Sequence, residues 1–316
     1  LFFLMIFIAL LDIRLIFKYA YIFFLVCLFL VLLVEFIGTF GKGAERWINI
    51  FGISIQPSEL IKIGIILSLA KYYHSIKFDN IGNLLHLIFP AFIITVPFFL
   101  VLTQPDLGTS ITILLLGIMI MFLSGVRIWK FFLGGILTMI SIPFLWNYIR
   151  PYQQQRILSF LNPESDPLGQ GYQLMQSKIA LGSGGMTGKG FLQGTQSYLE
   201  YLPEKQTDFI FTLIGEEFGF IGNMFIIIIF FLLIVICFYI SIKSFHIFGR
   251  ILSLGIASNL FLYVVLNISM VTGLMPVVGI PLPLISYGGT AMLSIMLSFG
   301  LLLNMDLNYS RKKIDN

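Results

Sequence analysis

The chain has 316 residues, of which 58% are hydrophobic and only 11% are charged, and its mean hydropathy is +0.97. Soluble domains carry roughly a quarter charged residues, so this composition excludes a soluble globular protein, and it equally excludes an intrinsically disordered one. The net charge of +4 is spread too thinly to indicate binding of nucleic acid. The sequence therefore predicts an all-α polytopic protein that crosses a membrane many times.

Apolar runs of about the length of a membrane span follow one another along the chain. The first run is too short to cross and is predicted to be the end of a clipped span, because the chain begins without a methionine. The seventh is long enough for a span and one or two further helical turns. The predicted runs are 1–11, 17–38, 57–74, 81–103, 108–125, 131–149, 208–241, 250–270 and 288–306.

Lysine and arginine residues are divided unequally between the two alternating sets of loops. The short loops of one set carry 11 of the 19 basic residues, whereas most basic residues of the other set lie in the single long segment 150–207. Because short basic loops remain in the cytoplasm, the first set and the C-terminus are predicted to be cytoplasmic. The segments predicted to face outward are 39–56, 103–107, 150–207 and 271–287.

Two of these outward segments are predicted to be more than connections. Segment 150–207 is far longer than helix packing requires, and such loops are usually functional. Within it, residues 167–181 favour a short amphipathic helix on the membrane surface. Segment 271–287 contains three prolines and two glycines, which predicts an irregular or re-entrant loop. The whole chain, 1–316, is predicted to form one integral membrane domain.

Several common kinds of site are excluded by the sequence. The stretch 182–190 superficially matches a nucleotide-binding loop, but Ser183 stands where the first glycine is required. No histidine lies in an outward segment, which excludes a serine or cysteine nucleophile activated by histidine there. Cys27 and Cys237 lie within apolar runs, so neither a disulfide nor a CxxC metal site is predicted.

Asp208 is the strongest candidate for a catalytic side chain, because it opens a long apolar run at the outer surface. A carboxylate in the first turn of a helix, with Thr207 as N-cap, would explain it equally well. The charged residues that share its loop, among them Arg156, Lys189 and Glu204, favour a catalytic role. Cations of this kind bind phosphate groups, while a carboxylate accepts a proton from an attacking hydroxyl. A headgroup-binding or solvated charge remains the alternative for Arg156 and Lys189.

Four further charged residues lie in or beside predicted spans. Glu59 and Lys62 are three residues apart on one helix and form either a structural ion pair or part of a polar cavity. Arg46 either snorkels beside the interfacial anchor Trp47 or belongs to a second outward cluster. Asp106 either caps the following span or contacts a substrate.

A series of strings, in order along nearly the whole chain, carries a resemblance to a known family. They include Gln56-Pro-Ser-Glu-Leu-Ile-Lys62, Gln104-Pro-Asp-Leu-Gly-Thr109, Thr207-Asp-Phe-Ile-Phe211 and Gly279-Ile-Pro-Leu-Pro-Leu-Ile-Ser-Tyr-Gly-Gly289. On these residues the chain resembles the SEDS family (shape, elongation, division and sporulation), which includes FtsW, RodA and SpoVE. The string Gly194-Thr-Gln-Ser197 resembles the RodA branch rather than the FtsW branch.

The resemblance implies a SEDS-type bundle of ten transmembrane helices in the bacterial inner membrane, about nine of them represented here and the N-terminal one missing. It implies polymerisation of lipid II into β-1,4-linked glycan strands, with inversion and release of polyprenyl pyrophosphate, during cell elongation and maintenance of rod shape. The family's essential aspartate falls on Asp208. The residues that the resemblance places in or around the outward cavity are Arg46, Glu59, Lys62, Asp106, Arg156, Lys189, Glu204 and Ser286.

The resemblance also implies partners. Family members work with a class B penicillin-binding protein, a transpeptidase, inside the rod-shape elongation complex, in contact with membrane lipids and the nascent glycan strand and not with nucleic acid. No permanent cofactor is expected, and a divalent cation, Mg²⁺ or Mn²⁺, is a candidate for assisting at the pyrophosphate. Two alternatives stay open: a lipid II flippase or transporter, and a non-catalytic scaffold that only recruits the transpeptidase.

Overall fold

The computed structural model of the protein describes residues 1–41, 44–50, 53–145, 151–162, 169–198, 201–202 and 204–308. Parts of the predicted outward segments, including 163–168 and 199–200, therefore lie outside the described residues. The chain forms two compact units. The first consists of Leu1–Phe132, Ile234–Leu262 and Gly289–Asn316, and the second of Leu133–Leu233 and Tyr263–Gly288.

Long helices dominate the described chain. Apart from the helices of the long outward segment, they are α1 (Phe2–Leu10), α2 (Ile13–Ile37), α3 (Pro57–Ser75), α4 (Leu84–Thr103), α5 (Leu107–Leu123), α6 (Ile128–Leu145), α10 (Ile210–Lys243), α11 (Ile247–Thr272) and α12 (Gly289–Leu307). Among the described residues, five of these helices are long and apolar enough to cross a membrane, namely α2, α4, α10, α11 and α12, while α5 and α6 are shorter apolar helices. The fold is that of an all-α polytopic membrane protein, as predicted.

Helix α3 is the most enclosed helix of the first unit. Pro57 stands in its first turn, where the missing amide hydrogen is not needed. The helix packs on α2, α4, α5 and α12, and most of its residues are buried, including the charged Glu59 and Lys62. An α-helix that is buried nearly all round forms the inside of a bundle rather than its lipid-facing surface.

A small antiparallel sheet in the first unit was not predicted. Its strands β1 (Thr39–Gly41), β2 (Ala44–Ile50) and β3 (Ile53–Ile55) pair in the order β1-β2-β3. Trp47 lies opposite Thr39, and Ile48 lies opposite Ile55. Isoleucine alternates with polar residues in β2 and β3, which is typical of a strand. The alternating stretches are too short, however, to predict strands within a segment expected to be a loop. The sheet matters because β2 carries Arg46.

The second unit contains the short helices of the long outward segment. The predicted amphipathic helix is present as α8 (Gln170–Gly184), whereas α7 (Pro151–Leu161) and α9 (Thr195–Tyr198) were not predicted. Helix α7 packs against α8. Between Thr272 and Gly289 the chain has neither helix nor strand.

Helix α10 is interrupted at Gly219, whose φ of 68° and ψ of −163° are not helical. A break frees main-chain donors and acceptors that must find partners elsewhere. Here the glycine-rich loop 185–190 supplies those partners, so the loop and the break form one hydrogen-bonded junction. Its four bonds, 2.9–3.2 Å long, run from Lys189 N to Glu216 O, Gly190 N to Glu217 O, Phe220 N to Gly185 O and Ile221 N to Met186 O.

A substitution at Gly188 tests this junction. Gly188 has a φ of 80°, and a methyl group there would overlap Glu217 O, whereas a methyl group at Gly182 would meet nothing within 4 Å. We expect Gly188→Ala to lower the free energy of unfolding by about 2 kcal/mol or more. The matched change Gly182→Ala, inside α8, should be neutral or slightly stabilising. Equal thermal unfolding midpoints for the two variants in detergent would contradict the junction.

Candidate functional site

Asp208 is half-buried in a turn just before α10, which begins at Ile210. The turn is closed by hydrogen bonds of 3.2 Å from Thr207 N and Phe209 N to Glu204 O. Thr207 Oγ1 donates to Glu204 Oε2 at 2.6 Å. The hydroxyl of Thr207 is thus used within the turn rather than as the cap of α10, and Asp208 precedes the helix instead of lying in its first turn.

The irregular segment after α11 packs closely against the Asp208 turn. Asn267, fully buried on α11, donates through Nδ2 to Asp208 O at 2.8 Å and to Ile280 O at 2.7 Å. Gly279 has a φ of 72°, and a methyl group at this position would lie 3.2 Å from Asp208 Oδ2. The side chain of Asn267 therefore ties the segment to the Asp208 turn, and the glycine allows the segment to approach the carboxylate.

Ser286 joins the same two segments. Its Oγ donates to Thr207 O at 2.6 Å and accepts from Leu282 N at 2.8 Å. Tyr287 N donates to Gln206 O at 2.9 Å. The structure thus brings Ser286 close to the turn that carries Asp208 and Glu204. The hydroxyl of Ser286 both donates to and accepts from main-chain groups, so it holds the two segments together. A contact of Ser286 with a substrate stays a prediction.

Lys189 is bound to the buried carboxylate of Glu216, a pairing that the sequence analysis did not predict. Lys189 Nζ donates to Glu216 Oε1 at 2.9 Å and to Thr195 Oγ1 at 2.8 Å. Gln196 N donates to the same oxygen of Glu216 at 2.9 Å. The side chain of Glu216 is completely buried, while that of Lys189 is 26% exposed. Glu216 therefore anchors both the loop 185–190 and the start of α9, and it leaves one side of the ammonium accessible.

Arg46 connects β2 to the turn between α4 and α5. Its guanidinium donates to Pro105 O and, at 3.4 Å, to Gln104 O. It also pairs with Asp106 at 3.7 Å. A planar guanidinium presents its N–H donors in a fixed fork, which suits several acceptors of one turn. The structure therefore shows Arg46 as a clamp on this turn in the first unit.

Asp106 caps α5, as one of the two interpretations predicted. Its Oδ1 accepts from Thr109 N at 3.2 Å, and its Oδ2 accepts from Thr109 Oγ1 at 2.9 Å. Gln56 Nε2 donates to Oδ2 at 3.1 Å. Gln56 was not predicted as a site residue, although it begins one of the strings that carry the family resemblance. A substrate contact of Asp106 stays a prediction.

The capping role of Asp106 predicts a graded response to substitution. Asp106→Ala removes the acceptor for Thr109 N, and loss of an N-cap costs about 1–2 kcal/mol. Asp106→Asn keeps an acceptor oxygen for Thr109 N and should lose less, although the acceptor for Gln56 Nε2 and the charge opposite Arg46 both disappear. Unfolding midpoints of the two variants would measure the difference. A neutral Asp106→Ala would contradict the structural role.

Glu59 and Lys62 form the predicted ion pair inside α3. Lys62 Nζ lies 2.8 Å from Glu59 Oε1, and Ser294 Oγ lies 3.4 Å from Glu59 Oε2. Both residues of the pair are buried, at 4% and 1% exposure. Near the start of α3, Gln56 N donates to Thr290 Oγ1 at 3.2 Å, so α12 joins this polar group. The ion pair is confirmed, and a further role in a cavity stays a prediction.

Arg156 lies half-buried on α7 in the second unit. Within the part of the chain that the structure describes, no three histidine, cysteine, aspartate or glutamate residues lie close enough together to hold a metal ion. The second unit thus contains Asp208 in a turn held by main-chain and side-chain hydrogen bonds, together with the basic residues Arg156 and Lys189.

Comparison with known proteins gives the same family as the sequence strings. The model of the FtsW/RodA/SpoVE family of cell cycle proteins matches residues 2–311. The peptidoglycan glycosyltransferase MrdB of Escherichia coli (strain K12) is 43% identical over 290 residues, which cover 89% of this chain and 76% of MrdB. Stage V sporulation protein E of Bacillus subtilis is 39% identical over 289 residues, 90% of this chain and 78% of that protein.

Solved structures agree in fold. A chain of a peptidoglycan synthase complex superposes with a TM-score of 0.83 at 31% identity, over 99% of this chain and 88% of that one. The rod shape determining protein RodA of Thermus thermophilus superposes with a TM-score of 0.72 at 26% identity, over 98% of this chain and 84% of RodA. The protein is thus a multi-pass membrane protein, and it belongs to the FtsW/RodA/SpoVE family.

Proposed function

We propose that the protein is a peptidoglycan glycosyltransferase that polymerises lipid II into β-1,4-linked glycan strands during cell elongation. The observation that carries this proposal is the 43% identity, over 89% of the chain, to the peptidoglycan glycosyltransferase MrdB. The Asp208 turn supplies the carboxylate that the reaction needs. The distribution of basic residues supports a place in the bacterial inner membrane with a cytoplasmic C-terminus.

The proposed reaction is one inverting displacement. A hydroxyl oxygen of the acceptor sugar forms a bond to the anomeric carbon of the donor, while the bond from that carbon to the pyrophosphate oxygen breaks. The hydroxyl proton passes to the Asp208 carboxylate, and the polyprenyl pyrophosphate leaves with the electron pair. A positioned general base of this kind contributes about 10²–10⁴-fold to the rate. Asn267 serves this step by fixing the main chain of Asp208, and Gly279 by avoiding a side chain against its carboxylate.

Positive charge is proposed to steady the departing pyrophosphate. In the second unit, Arg156 and the accessible side of Lys189 are the candidates, because preorganised cations stabilise charge that develops on a leaving group. Glu216 keeps the ammonium of Lys189 in place. A divalent cation, Mg²⁺ or Mn²⁺, would supply further positive charge at the pyrophosphate, where such ions commonly bind.

A transpeptidase partner completes the proposal. The chain with the TM-score of 0.83 belongs to a peptidoglycan synthase complex in which polymerization and crosslinking are coordinated. We infer that this protein likewise works with a class B penicillin-binding protein in the rod-shape elongation complex. Polymerisation by one subunit and crosslinking by the other would then take place on the same strand.

The proposal is tested by incubating the purified protein and its transpeptidase partner with lipid II, with crosslinking blocked by a β-lactam. We expect glycan polymer on a gel and release of polyprenyl pyrophosphate. A complex that forms but makes no polymer would overturn the proposal in favour of a scaffold. Transport of labelled lipid II across liposomes by a protein that makes no polymer would instead favour a flippase.

A further inference from the structure

Three large apolar side chains project from the loop beside the break in α10. Met186, Phe191 and Leu192 are 65%, 68% and 71% exposed, and they are termed the apolar loop tip. Single exposed apolar residues are common on protein surfaces. Three large ones within seven residues form a patch, and such patches mark contacts with a partner or a membrane.

The main chain presents this tip in a fixed way. The loop 185–190 is bonded to both sides of the break in α10, and Gln193 N donates to Gly190 O at 3.1 Å. Leu192 has a φ of 60°, in the left-handed region that a leucine rarely adopts. An unfavourable main-chain conformation that turns a leucine outward is stable only if its surroundings over-determine it.

The tip adjoins an exposed apolar face of α10. The ring of Phe191 lies 6.2 Å from the ring of Phe218, which stands just before the break, and Met186 O accepts from Ile221 N, just after it. Ile221 and Phe225, four residues apart beyond the break, are both exposed and form one stripe on the helix. Helix α10 is a candidate span, and most of its apolar window is exposed, so we expect this stripe to meet the acyl chains.

The polar groups of the same loop turn the other way. Lys189 lies between Met186 and Phe191 in sequence, yet its ammonium is directed to the buried Glu216. Thr195 binds the same ammonium. The loop is thus amphipathic, with apolar side chains on the side of the α10 stripe and its charged side chain bound to the protein. This division is typical of segments that lie in a membrane interface.

We propose that the apolar loop tip is inserted into the lipid bilayer at the interface. The partner is a phospholipid surface, because Phe191 packs beside Phe218 and the loop is bonded to Ile221, where the exposed apolar stripe of α10 begins. Insertion holds the glycine-rich loop, and with it Lys189, at the depth where the phosphate groups of membrane lipids lie. This inference goes beyond the proposed function, and its test requires no lipid II.

The test uses single spin labels in nanodiscs of anionic phospholipid. Cys27 and Cys237, both buried, are first replaced by alanine. Labels are then placed by Phe191→Cys and Leu192→Cys, with Phe225→Cys as the reference in the span. The control for water is Gln206→Cys, an exposed polar residue of the same unit in the predicted outward segment 150–207.

Accessibility to oxygen and to a water-soluble nickel chelate gives the depth of each label. We expect the labels at 191, 192 and 225 to be several-fold more accessible to oxygen than to the chelate, and the label at 206 to be more accessible to the chelate. Chelate accessibility at 191 and 192 equal to that at 206 would place the tip in water. Protection from both reagents would show that protein covers it, and either result would overturn the proposal.

Discussion

Replacement of Asp208 by asparagine is expected to lower the rate of glycan polymerisation by about 10²–10⁴-fold, the contribution of a general base. The amide has almost the size of the carboxylate but cannot accept the proton of the acceptor hydroxyl. The main-chain bond from Asn267 to Asp208 O does not involve the replaced group. The fold should therefore survive, and the loss should be one of chemistry. The measurement is polymer formed per complex with the transpeptidase partner.

Asp306→Asn is the matched control for this experiment. Asp306 pairs with Lys243 at 3.3 Å, and both side chains are more than a third exposed. The same chemical change there should leave polymerisation unaltered, because exposed ion pairs contribute little. Full activity of Asp208→Asn, with an unchanged unfolding midpoint, would contradict the base assignment, and Glu59 would be the next carboxylate to replace.

The spans could be predicted from the sequence because each is a local pattern. An apolar run of membrane length has essentially one solution in lipid, a helix. The runs 81–103 and 288–306 therefore match α4 (Leu84–Thr103) and α12 (Gly289–Leu307) within a few residues. The sheet of β1, β2 and β3 escaped prediction because strands of this length depend on their pairing and not on their own pattern.

In the candidate site, too, contacts between residues close in sequence could be predicted, whereas contacts between distant residues could not. The cap of α5 by Asp106 could be predicted, since the residues involved are three apart. The bond between Lys189 and Glu216 joins residues 27 positions apart, and nothing in either local sequence marks it. Asn267 is one of several polar residues in a mostly apolar helix, and its sequence position does not indicate that it holds the main chain of Asp208. Such contacts follow from how the helices pack, which one sequence does not state.

Lys62→Met is expected to destabilise the protein by about 3–5 kcal/mol, the cost of breaking a buried pair by removing one partner. The change leaves the carboxylate of Glu59 buried in α3 beside Ser294 without its ammonium neighbour at 2.8 Å. The double variant Glu59→Leu, Lys62→Met should regain most of this loss. Replacing a whole buried pair by apolar residues is often neutral. Unfolding midpoints of the single and double variants measure both effects.

The double variant also decides between the two interpretations of this pair. If Glu59 and Lys62 serve only to hold α3 against α12, a refolded double variant should polymerise lipid II at nearly the parent rate. If they take part in handling the substrate, stability should return while polymerisation does not, because leucine and methionine offer no charge to a sugar or a phosphate. A double variant as unstable as Lys62→Met would contradict the ion-pair account itself. Charges this deeply buried in a membrane helix are costly and by default mark function. We therefore expect the double variant to regain stability without regaining polymerisation.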